Sequence, residues 1–110
     1  MEQSNRRNHY RIQYPKTERP HLFTEKQTCE ILDCSRQGLR YLLSRQTPPP
    51  IGAIVEGTVR FRRGATVSIT GVVVRVLHKE VALYFPNSEI PASILLEEQR
   101  YLHAHYPMWS

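Results

Sequence analysis

The chain holds only two cysteines, Cys29 and Cys34, among its 110 residues, and they form no Cys-x-x-Cys pair. The five histidines are not spaced as metal ligands. A zinc ribbon, a disulfide scaffold and a redox-active thiol pair are therefore excluded as organising principles, and two free thiols suit a reducing compartment. No stretch approaches the roughly 18 consecutive apolar residues of a membrane span. The polar, basic start also lacks the apolar core of a signal peptide, so a soluble cytoplasmic protein is expected. There is no phosphate-cradling Gly-x-x-x-x-Gly-Lys loop. Ser35 lies near an acid, but the sequence places no histidine to activate it. Neither an enzyme, a metal site nor a bound cofactor is expected.

Acidic residues are in the minority. Ten Asp and Glu face fifteen Lys and Arg, giving a formal net charge of +5 and a pI near 9.6. All but three of the basic residues (Lys16, Lys26 and Lys79) are arginine. Guanidinium is a planar fork of donors that matches phosphate and the edge of guanine, so this bias favours nucleic acid, a nucleotide or an acidic surface as partner. The densest cluster is Arg6-Arg7-Asn8-His9-Tyr10-Arg11. Taken alone, such a basic stretch near a terminus usually reads as a solvated tail. Residues 1–20, with Pro15, Pro20, Lys16 and Arg19, read as a flexible arm.

The remainder alternates as strands do. Thr28–Asp33 has an apolar centre with polar flanks. The next stretch, Asp33-Cys34-Ser35-Arg36-Gln37-Gly38, reads as a polar turn, since Asp and Ser accept bonds from backbone N–H groups and Gly permits a positive φ. Leu39–Leu43 resumes an extended run. As parts of one strand, Cys29 and Cys34 fall on opposite faces at their odd spacing. Thr47-Pro48-Pro49-Pro50 is a stiff linker. Val55, Val59 and Phe61 share one face of a further strand. Val67 and Ile69 continue on the next, whose phase is lost at Val72-Val73-Val74. A bulge or bend at Gly71 would account for this. Val81, Leu83 and Phe85 alternate after a turn at His78-Lys79-Glu80. From Pro91 the period becomes helical: Ile94, Leu95, Tyr101 and Leu102 share a side, with Glu97, Glu98 and Arg100 largely elsewhere. Several short strands with regular turns point to a closed or nearly closed barrel, with the helix over one mouth. Met108 and Trp109 are expected to pack back onto it.

Two short motifs carry a resemblance. Asp33-x-Ser35-x-x-Gly38 matches the (Asp/Asn)-x-Ser-x-x-Gly motif of PilZ domains, and Arg6-Arg7-x-x-x-Arg11, upstream of it, matches their Arg-x-x-x-Arg motif in doubled form. Their order and separation, with a β-rich remainder, make the chain similar to PilZ domains from about Arg6 to the C-terminal helix. The resemblance implies a mostly β fold: a small antiparallel six-stranded β-barrel over residues 21–110, with a C-terminal α-helix and the flexible basic arm of residues 1–20 before it.

It also implies a ligand, cyclic di-GMP. A site for this molecule needs cations for two phosphodiesters, donors for guanine O6 and N7, acceptors for N1–H and N2–H, and surfaces for stacking. By resemblance Arg7 and Arg11 meet the phosphates and the Hoogsteen edge of guanine. Arg6 is a third contact, and relatives with this extra arginine take up two stacked ligand molecules. Asp33 is the acceptor for guanine N–H groups, or caps the turn, or holds an arginine. Ser35 donates to the ligand or caps the turn. Gly38 keeps the turn or the ligand's approach free of a side chain. Arg40 and Arg75 are possible additional contacts. Some relatives carry a tryptophan near the position of Val74 or Arg75; here the only tryptophan is Trp109. A single-domain length implies signalling by conformational change to an unidentified effector protein. Two rivals are a small basic barrel binding single-stranded nucleic acid and a ligand-independent adaptor. Clustering of both motifs at one place and the lack of an evident aromatic platform argue against the first. Intact motifs argue against the second.

Overall fold

The computed structural model describes residues 11–44 and 47–109. Among these residues, seven antiparallel strands precede one α-helix: β1 (Ile12–Gln13), β2 (His21–Phe23), β3 (Thr28–Ser35), β4 (Gly38–Leu42), β5 (Ile54–Arg60), β6 (Thr66–Leu77), β7 (Glu80–Tyr84) and α1 (Ala92–His105), with a short 3-10 turn at Lys16–Glu18. The sheet runs β3-β2-β5-β6-β7-β4 and closes because β3 also pairs with β4. Six strands thus form a barrel, with β1 added outside the ring on β3. Closure gives every strand of the ring two partners and leaves it no unpaired edge.

Alternation fills the interior with Leu22, Ile31, Leu39, Val59, Phe61, Val73, Val81 and Phe85, all buried. Burying each large apolar side chain contributes about 1.5–3 kcal/mol. The two strands that lose phase do so at bulges. In β3 the register with β4 steps from Ile31↔Tyr41 to Asp33↔Arg40, so Leu32 is the extra residue. The bulge resets the pleat: Cys29, Ile31 and Cys34 all face the core, whereas Asp33 turns to the outer face. Cys29 and Cys34 are therefore buried together rather than on opposite faces, and both are free thiols. In β6 the step falls between Val73 and Arg75, which makes Val74, not Gly71, the extra residue. Gly71 stays in register opposite Val55 and faces inward, where a Cβ would stand 3.1 Å from Leu83 Cβ. It supplies space for the core rather than a bend.

The expected arm of residues 1–20 is not free over its second half: Ile12–Gln13 pair with β3, and the chain from Tyr14 to Pro20 is packed on the barrel, with Tyr14, Glu18 and Pro20 buried. Helix α1 lies over the same end of the barrel, near the β5–β6 turn, and its Leu95 and Leu102 join the core. Glu98 belongs to this buried stripe and not to the solvent side, because its carboxylate accepts from the Tyr14 hydroxyl at 2.8 Å and from Arg63 Nε at 3.1 Å. Trp109 packs back as expected: its indole N–H donates to the Gln13 carbonyl on β1 at 2.7 Å, while Met108 is fully exposed.

Candidate functional site

Register alone assembles a polar row on the barrel's outer face. Gln13 on β1 stands opposite Asp33, Asp33 opposite Arg40, Arg40 opposite Ala82, and Ala82 opposite Arg75. The neighbouring row holds Ser35, Gly38 and Tyr84. Arg11 enters just before β1. Together these residues line an open groove of about 750 Å³.

Asp33 is the hub of the groove. It has no solvent exposure, and both of its oxygens are engaged. Oδ1 accepts from Arg11 Nη1 at 2.8 Å, and Oδ2 accepts from Arg40 Nε at 2.7 Å. Arg40 Nη1 donates in addition to Glu80 at 2.6 Å. Burying a lone carboxylate costs several kcal/mol, and only well-made ion pairs offset that. The hydrogen bond to Asp33 raises the Arg40 pKa above its ordinary value, against the opposing effect of burial. Arg11 meets the carboxylate through Nη1 alone and keeps 46% of its side chain exposed, so the rest of its fork faces solvent, whereas Arg40, 30% exposed, has Nε and Nη2 on Asp33 and Nη1 on Glu80. Arg75 is exposed and makes no ion pair among the described residues.

The expected six-residue turn is shorter. β3 continues through Ser35 and β4 begins at Gly38, leaving Arg36-Gln37 as the loop. Asp33 therefore sits on a strand and does not cap a turn. Ser35 Oγ reaches the Gly38 carbonyl at 3.4 Å, across the hairpin it closes. At Gly38 a Cβ would lie 2.7 Å from the Leu83 carbonyl oxygen, well inside contact distance. Its first task is thus to let β7 approach β4, where Phe85 N–H also donates to the Gln37 carbonyl at 2.8 Å.

The family model described as "PilZ domain" matches residues 5–102. The chain belongs to the PilZ domain family. No curated protein matches it. The family is one of cyclic di-GMP-binding domains, a binding and adaptor fold rather than an enzyme family. The match and the closed barrel bear out the expected family and fold. Among the described residues, no helix is long and apolar enough to cross a membrane, and no group of side chains is placed to hold a metal ion.

The PilZ barrel brings Arg11, Asp33, Ser35, Gly38, Arg40 and Arg75 to one groove. Arg6 and Arg7 lie outside the described residues. Sequence reasoning passed over Gln13 and Tyr84, which also line it. The signal for Tyr84 was present: a residue between inward Leu83 and Phe85 must point outward. A larger opening of about 1000 Å³ lies at the opposite end of the barrel, between the proline linker and the β2–β3 turn. Its charged lining residues are Lys26, Glu25 and Glu56, a net negative set unsuited to a dianion. Chemistry, not size, selects the arginine groove.

Proposed function

We propose that this PilZ protein is a cyclic di-GMP receptor that acts through a partner protein, with the groove at Asp33 as its ligand site. The observation that supports this most is the pair of partly exposed guanidinium groups, Arg11 and Arg40, held side by side on one buried carboxylate, with Arg75 across the groove. Two phosphodiester charges find three cations there. Arg6 and Arg7 add two more from the segment leading into Arg11, and Arg6 allows a second, stacked ligand molecule. Asp33 acts chiefly by orienting Arg11 and Arg40, since both its oxygens already accept from them; a guanine N–H would have to share one of them. Arg11 contributes phosphate and Hoogsteen contacts. Ser35 donates at the rim. Gly38 leaves the floor bare.

In this reading what remains of the expected arm of residues 1–20, the stretch before Arg11, folds over bound ligand, and the altered surface is what the partner reads. Calorimetric titration with cyclic di-GMP tests the proposal, with Arg7→Ala and a guanine mononucleotide as controls. Saturable binding that Arg7→Ala weakens by about 1.5–3 kcal/mol is expected, and the molar ratio reports one ligand or two. No binding by calorimetry and by a second method would turn the reading to a ligand-independent adaptor. Tighter, steeply salt-dependent binding of a generic oligonucleotide would turn it to a nucleic-acid barrel.

A further inference from the structure

We propose that Tyr84 is the stacking platform of the groove, the surface on which a guanine base of the ligand lies. The inference rests on the cyclic di-GMP reading and adds to it a residue outside both motifs. Leu83 and Phe85 face the core, so Tyr84 projects from the barrel's outer face with 45% of its surface exposed. Across β4 its direct neighbour is Gly38, which has no side chain, and two residues along its own strand lies Ala82, which has only a methyl group. The ring is thus bordered on two sides by the smallest residues in the groove. The Tyr84 side chain makes no hydrogen bond and no ring contact among the described residues. The next row of the same face carries Arg40 and Arg75 on either side of Ala82.

A flat, unpartnered ring next to cations is what an anionic purine nucleotide requires. The π-face takes the base, and the guanidinium groups take the phosphate or cover the base from the other side.

The test compares cyclic di-GMP binding by the full chain with that of Tyr84→Ala, Tyr84→Phe and Tyr84→Trp, alongside NMR spectra of ring-labelled tyrosine. Tyr84→Ala should weaken binding roughly five- to hundredfold, the usual range for one base–aromatic stack. Phe and Trp should restore it to within about threefold. The Tyr84 ring resonances should shift on ligand addition through the purine ring current. A merely structural tyrosine would give neither the aromatic rescue nor the shift. If the unaltered chain binds while Tyr84→Ala stays within twofold and the ring resonances do not move, the stacking assignment is wrong and the receptor reading stands. If the unaltered chain fails to bind, both fall together.

Discussion

Two clusters of buried carboxylate in this small barrel are served by arginine, and they are built differently. At the helix end, Glu98 and Glu18 share Arg63, which donates to Glu98 at 3.1 Å and to Glu18 at 3.2 Å, and lies 3.8 Å over the Tyr101 ring. Tyr14 closes the remaining approach to Glu98, and Tyr106 donates to Glu18 at 2.8 Å. Every partner there is another part of the fold. In the groove, Asp33 is equally buried and Arg40 is committed to it and to Glu80, but Arg11 is half-open to water. One cluster uses its donors to fasten a helix to a barrel. The other keeps donors of Arg11 in reserve on a carboxylate that aligns its guanidinium. The same residue types thus do two jobs, and what separates them is Arg11, whose side chain is 46% exposed against 23% for Arg63.

The largest break in this comparison should come from Arg63→Met. It strips two buried carboxylates of their cation and should lower unfolding free energy by about 3–5 kcal/mol. Chemical denaturation would read this, with cyclic di-GMP affinity of the folded fraction nearly unchanged. Gly38→Ala comes next. Its Cβ would press on the Leu83 carbonyl, and forcing β4 from β7 should cost about 1–3 kcal/mol, together with a loss of ligand binding from the distorted groove. A stable Gly38→Ala protein that has lost binding alone would give the residue a purely ligand-facing role.

A finer separation comes from the two arginines of the motif. Both Arg7→Ala and Arg11→Ala should weaken cyclic di-GMP binding by about 1.5–3 kcal/mol. Only Arg11→Ala should also lower the denaturation midpoint, because it removes one of two donors from fully buried Asp33. Equal stability of the two variants would show that Arg40 alone suffices to neutralise the carboxylate.

The smallest effect is one of pH. Burial acts to raise the Glu18 pKa, but hydrogen bonds from Tyr106 and Arg63 outweigh it and hold the value below the ordinary carboxylate range. The folded state therefore binds this proton less well than the unfolded chain does. Glu18 adds stability that is fully present above the unfolded value of about 4.3 and is lost as pH falls through the folded one. Denaturation midpoints between pH 6 and pH 3 should decline, and Glu18→Gln should flatten that decline. Cys34 takes no part in such titration near neutrality, because burial pushes its thiol up to about 12.

Much of the barrel is legible in the primary structure. Alternation at Val55–Phe61 and Val81–Phe85, and turn residues at Arg63-Gly64 and His78-Lys79, need no tertiary information, because the pleat itself imposes a period of two. The motifs Arg6-Arg7-x-x-x-Arg11 and Asp33-x-Ser35-x-x-Gly38 name most of the groove. Legibility fails where the pleat is broken. A bulge is one extra residue in one strand, and whether it falls at Gly71 or Val74, or occurs at Leu32 at all, depends on the partner strand's register. The error propagates: without the Leu32 bulge, Asp33 reads as part of a turn and Cys34 as facing away from Cys29. Glu98 was misread for a related reason, since helical periodicity cannot foresee that a carboxylate will meet Tyr14 and Arg63.

The sequence by itself therefore determined the family, the β-rich ring, the terminal helix and the arginine-rich character of the ligand site, because these rest on local periodicity, chain order and residue chemistry. Only the tertiary structure decided which residues share the groove. Gln13, Asp33, Arg40, Ala82 and Arg75 come from five strands, and nothing local to any of them sets the others opposite it. That alignment is fixed by strand register, by two bulges and by closure of β3 on β4, and these are settled by the long-range balance of burial and hydrogen bonding in the closed barrel.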